Sequence, residues 1–113
     1  TYKITSSSEL RQYWDLSFSM VDEDQQPDRP RMDFRNEALV AIHLGRRQTG
    51  GYGIGIQSLQ VINPSETTLK WYEITPEFNQ PVTQMITSPY IWVRVPRLTS
   101  KITVIKMPGR PLR

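Results

Sequence analysis

The sequence predicts an α+β domain, mainly β: an antiparallel β-sandwich or partly open barrel of about six to seven strands, with one N-terminal helix. Three observations predict it. Turn residues recur roughly every ten residues along the body of the chain. Between them stand short apolar runs and alternating segments of strand length. Apolar residues at helical spacing occur convincingly in one place, near the start. A chain of 113 residues supports one domain. At that size it can bury about two-thirds of its unfolded surface, so no disulfide or metal is obligatory for folding.

The elements follow in order. Ser6 and Glu9 have capping-box spacing, in which hydroxyl and carboxylate each satisfy a free backbone N–H. Leu10, Trp14 and Phe18 then form a stripe, so a helix over 7–19 lays that stripe on a sheet. Residues 22–31 are polar, hold Pro27 and Pro30, and read as a surface loop. A β-rich body over 32–107 follows. Met32 to Phe34 reads as a short strand. Ala38 to Leu44 is a continuous apolar run, as a strand buried on both faces requires. In the strand Tyr52 to Ile62, Ile54 and Ile56 have one parity and Leu59 and Val61 the other, which demands a bulge near Gln57-Ser58. The pair Gly50-Gly51 between these two strands reads as the corner of a β-hairpin, with φ > 0 expected there. Further strands are expected at Thr67 to Thr75, Val82 to Thr87, Tyr90 to Val95 and Ile102 to Met107, before a tail over 108–113.

Composition narrows the chemistry. Cysteine is absent, which removes thiol catalysis, Cys-ligated zinc and disulfides. No stretch approaches the ~20 apolar residues of a membrane-spanning helix. Thr1 is not a start methionine, so the chain reads as a mature or excised piece of a longer protein. The net charge of +3 is unevenly spread. Residues 1–77 carry 8 basic and 11 acidic side chains, whereas 78–113 carry 6 basic and none acidic. Such a tract could meet an anionic partner, but no nucleic-acid-binding motif accompanies it, so nucleic acid is not expected as a partner. A solvated edge strand and tail, with positive charge that blocks edge-to-edge strand pairing, is the favoured explanation.

No catalytic, cofactor or metal constellation emerges. His43 is the only histidine, and no serine sits in a Gly-x-Ser-x-Gly elbow. Gly45 and Gly50 have phosphate-loop spacing, yet Gly51 stands where that loop needs lysine. Gly51, Gly53 and Gly55 alternate in the manner of small residues beneath an overlying side chain. Asp22, Glu23 and Asp24 lack the glycine and distal glutamate of a calcium loop. Trp71, Tyr72, Tyr90 and Trp92 fall on strands expected to be neighbours. They form either an exposed aromatic row or a second buried layer beneath the helix.

Asp33-Phe34, Leu39-Val40, Leu44-Gly45, Thr49-Gly50-Gly51-Tyr52, Ile54, Ile56, Pro76, Gln84, Thr87-Ser88-Pro89-Tyr90 and Val93 to Pro96 together resemble the C-terminal domain of the protease-complex subunit PrcB family. The Thr-Gly-Gly-Tyr element followed by Gln84 and Thr87-Ser88-Pro89 carries the resemblance. It implies a bacterial, exported or lipid-anchored β-domain without catalytic residues, whose named member is an accessory subunit of a surface protease complex. On that reading residues 1–113 form a single such domain, extracytoplasmic and non-enzymatic. It needs no cofactor, and it docks on a protein partner, an exported protease being the candidate.

Loop tips and strand edges reach partners without disturbing a core. The expected contact surface is therefore Arg46, Arg47, Thr49, Gly50, Gly51 and Tyr52 with Tyr90, Trp92 and Arg94. Two other readings remain open at this point. One is a chagasin-like peptidase inhibitor on an immunoglobulin-like scaffold, although Arg46-Arg47-Gln48 stands where that family has Asn-Pro. The other is a glycan- or anionic-polymer-binding module using Trp71, Trp92 and the basic tract.

Overall fold

The computed structural model describes residues 1–64, 66–77, 79–96 and 101–111. The elements are β1 (Tyr2–Ile4), α1 (Ser7–Phe18), β2 (Glu37–His43), β3 (Gly53–Asn63), β4 (Glu66–Ile74), β5 (Tyr90–Pro96) and β6 (Lys101–Lys106). A 3-10 turn spans Glu23–Gln25 within the polar loop. The strands form two three-stranded sheets, ordered β1-β2-β5 and β3-β4-β6. The predicted class is thus the observed one: mainly β, two sheets in sandwich fashion and one helix near the start. Among the described residues the sheets do not close into a barrel. The outer edges of β1 and β6 flank a cleft of about 320 Å³ lined by Lys3, Thr5 and the stretch Lys101 to Val104.

Helix α1 begins as its sequence dictates. The Ser6 hydroxyl accepts from the Glu9 N–H at 3.2 Å. The Glu9 carboxylate reaches back one residue further than a standard capping box. It accepts from the hydroxyls of Thr5 (3.0 Å) and Ser6 (3.1 Å) and, at 3.4 Å, from the Thr5 N–H. The stripe of Leu10, Trp14 and Phe18 is buried against Ile4, Leu39 and Ala41. The other face of β2 presents Ala38, Val40 and Ile42 to Leu69 and Trp71 of β4, Val95 of β5 and Ile102 of β6. Because both faces of β2 are covered, its sequence has no polar alternation.

Four sequence-based expectations need correction. First, Gly50-Gly51 is not a hairpin corner. Strand β2 already has β1 on one side and β5 on the other. No edge remains for β3, and the loop after β2 carries the chain across to the second sheet. Second, Met32 to Phe34 is not a strand. The Asp33 carboxylate accepts from the Arg35 N–H at 3.1 Å and the Asn36 amide at 2.7 Å, and the Asp33 carbonyl accepts from the N–H groups of Asn36 and Glu37. This side-chain-driven turn wins over strand propensity.

Third, Val82 to Thr87 is a strap with a single antiparallel bridge, Arg47 to Thr87. Pro81 and Pro89 bracket it and limit its ladder pairing. Fourth, not every pair is antiparallel, since β4 and β6 run parallel. Between them the chain enters the other sheet as β5 and returns, which reverses its direction twice. The predicted bulge is present, with a register shift between Ile56 and Ser58, and a second shift lies between Val61 and Asn63. Gly55 does lie under an overlying side chain, since a Cβ there would stand 2.7 Å from Cε1 of the Tyr72 ring.

Candidate protein-interaction site

The loop from Leu44 to Tyr52 is built around Arg47. Its Nε and one terminal nitrogen donate to the two carboxylate oxygens of Glu73 on β4 at 2.8 and 3.1 Å. Its other terminal nitrogen donates to the carbonyls of Leu44 (2.9 Å) and Arg46 (3.0 Å). The backbone of Arg47 exchanges two hydrogen bonds with Thr87, at 2.8 and 2.9 Å. Arg47 therefore ties together the loop, the strap and the second sheet. A guanidinium does this well because its planar fork matches a carboxylate. The hydrogen bonds from Arg47 hold the Glu73 carboxyl below its usual 4.5, with the charges of Arg47 and Lys106 adding to the effect against the opposing influence of burial.

The neighbouring loop residues are similarly held. The Thr87 hydroxyl donates to the Thr49 carbonyl at 2.9 Å, and the Gly50 N–H donates to the Thr83 carbonyl at 2.8 Å. Gly51 has φ +88° and lies against Val82 and Pro76. The Tyr52 ring lies beneath Arg47, 5.9 Å from the guanidinium carbon. Arg46 stays exposed.

Tyr90, Trp92 and Arg94 are not all brought to this loop. Tyr90 opposes His43 at the loop end of the β2–β5 ladder, whereas Arg94 opposes Leu39. Four residues of strand place Arg94 about 13 Å further along. There it pairs with Glu37 at 3.3 Å and donates to the Arg31 carbonyl at 2.9 Å. Trp92 packs edge-on to Trp14 of α1, ring centres 5.0 Å apart. The exposed aromatic row is thus not formed. Strands β4 and β5 belong to different sheets, Trp71 is buried between them, and Trp92 lies under the helix. Tyr72 is half-buried beneath the Arg110 guanidinium, 4.0 Å from its ring centre.

Sequence reasoning missed what joins the loop on the β4 side. Lys106 lies over the Trp71 ring at 5.4 Å, and the Arg110 backbone bonds to Glu73 and Thr75. Two cations of the C-terminal tract are thereby fastened to the strand end that also holds Arg47. The charge count of the tract was the available signal; the parallel β4–β6 register that delivers it had none.

This geometry separates two adjacent arginines. Arg47→Ala is expected to lower stability by about 1–2 kcal/mol, because the pair is only 26% and 14% exposed and two carbonyls also lose a donor. Arg46→Ala is expected to leave the melting temperature unchanged. Paired thermal melts check both, and equal melting temperatures for the two variants would contradict the clamp.

His43 shares the helix-side face with Leu39 and Ala41. Its Nε2 accepts from the Trp92 indole N–H at 3.2 Å, with the Ser17 hydroxyl at 3.4 Å and the Tyr90 ring stacked at 5.7 Å. Burial, and then the positive amino group of Thr1, hold it below its usual 6.5. A protonated Nε2 would confront the indole donor. The folded state thus binds fewer protons than the unfolded chain between the two values. His43's contribution should be complete above about pH 6.5 and fall as pH drops through the folded value. Urea midpoints against pH check this, and His43→Gln should remove that part of the slope.

The PrcB C-terminal family model matches residues 38–96, from the second residue of β2 to the end of β5. The chain belongs to the PrcB C-terminal family. The match takes in the Arg47 loop, the strap, β3, β4 and β5, while α1, β6 and Arg110 lie outside it. No curated protein and no solved structure matches the chain. No helix among the described residues is long and apolar enough to cross a membrane. No cluster of His, Asp or Glu suited to a metal occurs among them.

Proposed function

We propose that this PrcB C-terminal domain is a non-enzymatic docking domain that holds a protein partner, an exported bacterial protease, outside the cytoplasm. The observation that carries the reading is the clamped Arg47 loop, which lies within the family-matched region. A loop tied at both flanks loses little entropy when a partner binds, which favours affinity. Arg46 of the loop and Lys106 and Arg110 beside the Glu73 end of β4 are exposed, giving a cationic surface. Such a surface suits an acidic face of a folded partner. The aromatic basis of the glycan reading is weakened, since Trp71 is buried and Trp92 half-buried under α1.

The test is retention of proteolytic activity. The immobilised domain is incubated with an extract of the native host's envelope, and casein hydrolysis on the washed beads is measured. The wild-type domain should retain activity, and the charge reversal Arg46→Glu with Lys106→Glu should reduce it about tenfold. Circular dichroism establishes that the variant is folded. Casein cleavage by the purified domain alone, or retention indifferent to the reversal, would overturn the reading.

A further inference from the structure

The two sheets have four outer edges, and they differ in how they are guarded. Strand β1 is three residues long and carries Lys3. Strand β5 carries Arg94 and ends in Pro96. Strand β6 has Lys101 and Lys106 at its ends. Shortness, charge and proline each discourage pairing with another chain. Strand β3 has none of these three: it runs eleven residues, Gly53–Asn63, without a charge or a proline, and the two register shifts that interrupt it leave 58–61 as the regular stretch beyond the first. Among the described residues its ladder partner is β4 alone.

The half beyond the bulge is the open part. Leu59 and Val61 oppose the inward-facing Leu69 and Thr67, yet they are 40% and 48% exposed. The apolar row that begins with Ile54 and Ile56 in the inter-sheet core therefore runs on to an uncovered edge. Ile62 on the other face is 53% exposed.

We propose that this edge is a homodimer interface, in which β3 pairs antiparallel with β3 of a second copy about a twofold axis through Gln60. Charge selects the occupant. An uncharged strand desolvates no ion when it meets an uncharged strand, and β3 is itself such a strand. A twofold axis makes the pairing antiparallel and self-complementary. With the axis at Gln60, Leu59 of each copy faces Val61 of the other on the inner face. Gln57 and Ile62, the extra residues at the two register shifts, bound this regular pairing. Each copy completes the apolar row of its partner, and the six-stranded sheet that results has β6 and its lysines at both ends. The interface is separate from the Arg47 loop and stands or falls without the docking function.

The absence of cysteine makes the test direct. Gln60→Cys introduces one thiol at the axis, where opposed residues of an antiparallel pair lie about 4.5–5.5 Å apart between Cα atoms, within disulfide range. Mild oxidation should give a covalent dimer on non-reducing gels much faster than for Ser8→Cys, a control thiol on exposed α1. Sedimentation equilibrium of the unaltered chain should show a monomer–dimer equilibrium between about 1 µM and 1 mM, the span expected of a small interface. Val61→Lys should weaken it about tenfold or more at an unchanged melting temperature. A monomer throughout that range overturns the proposal, whatever other strand the edge takes up. So does a dimer indifferent to Val61→Lys in which the two thiols cross-link at equal rates.

Discussion

Trp14→Ala is expected to remove about 3–5 kcal/mol of stability, the usual cost of deleting a buried aromatic side chain. Trp14 is the middle residue of the α1 stripe and packs with three elements of the helix-side core. Its ring is 4.7 Å from Phe18 on its own helix and 5.0 Å from Trp92 on β5, and it packs with Leu39 and Ala41 of β2. A helix of 12 residues is marginal in water without tertiary contacts. Loss of its anchor therefore costs helix formation as well as packing. Marginal domains have about 5 kcal/mol in hand at the lower end, so the variant should be partly unfolded at 37 °C. Urea titration followed by far- and near-ultraviolet circular dichroism reads this out. A midpoint unchanged from the parent chain would mean that α1 does not cover the β1-β2-β5 sheet. Loss of helix signal with the sheet transition retained would show instead that α1 undocks as a separate unit.

How far the fold was legible depended on the range of the interaction that decides each feature. Local features were legible. The Ser6–Glu9 cap, the Leu10-Trp14-Phe18 stripe and the bulge after Ile56 are written in residues a few positions apart, and each is where the spacing places it. The doubly buried character of β2 also showed in its unbroken apolar run. Long-range pairing was not legible. Gly50-Gly51 between two strand-like stretches is a reasonable hairpin signal. It failed because β2 is fully paired by β1, from the chain's start, and by β5, about fifty residues on. The same limit governed the site. The exposure of Arg46 followed from its setting in a polar loop. Nothing near Arg47 in the sequence indicates that Glu73, 26 positions later, takes up its guanidinium. Glu73 becomes reachable only once β4 lies in the opposite sheet. Family resemblance had no such limit, because its residues carry the record of the whole fold.

The glycines of the Arg47 loop separate backbone strain from packing. Gly45 and Gly51 both have positive φ, +76° and +88°, a region that costs a side-chain-bearing residue about 1–2 kcal/mol. Their surroundings differ. A Cβ on Gly45 would meet nothing within 4 Å, whereas one on Gly51 would stand 2.9 Å from Val82 Cγ1 and 3.0 Å from Pro76 Cγ. Pro76 is a ring and Val82 is β-branched, so neither can swing aside by a simple rotamer change. Gly51→Val should therefore cost the backbone penalty and an overpacking penalty of about 1–3 kcal/mol, roughly 2–4 kcal/mol together. Gly45→Val should cost the backbone penalty alone. Gly50, with an ordinary φ and Thr83 at 3.3 Å, should tolerate alanine with a smaller loss than either valine. Thermal melts of the three variants rank the causes. Equal losses for Gly45→Val and Gly51→Val would show that Pro76 and Val82 do not press on the loop, and the rigidity on which docking depends would lose its structural basis.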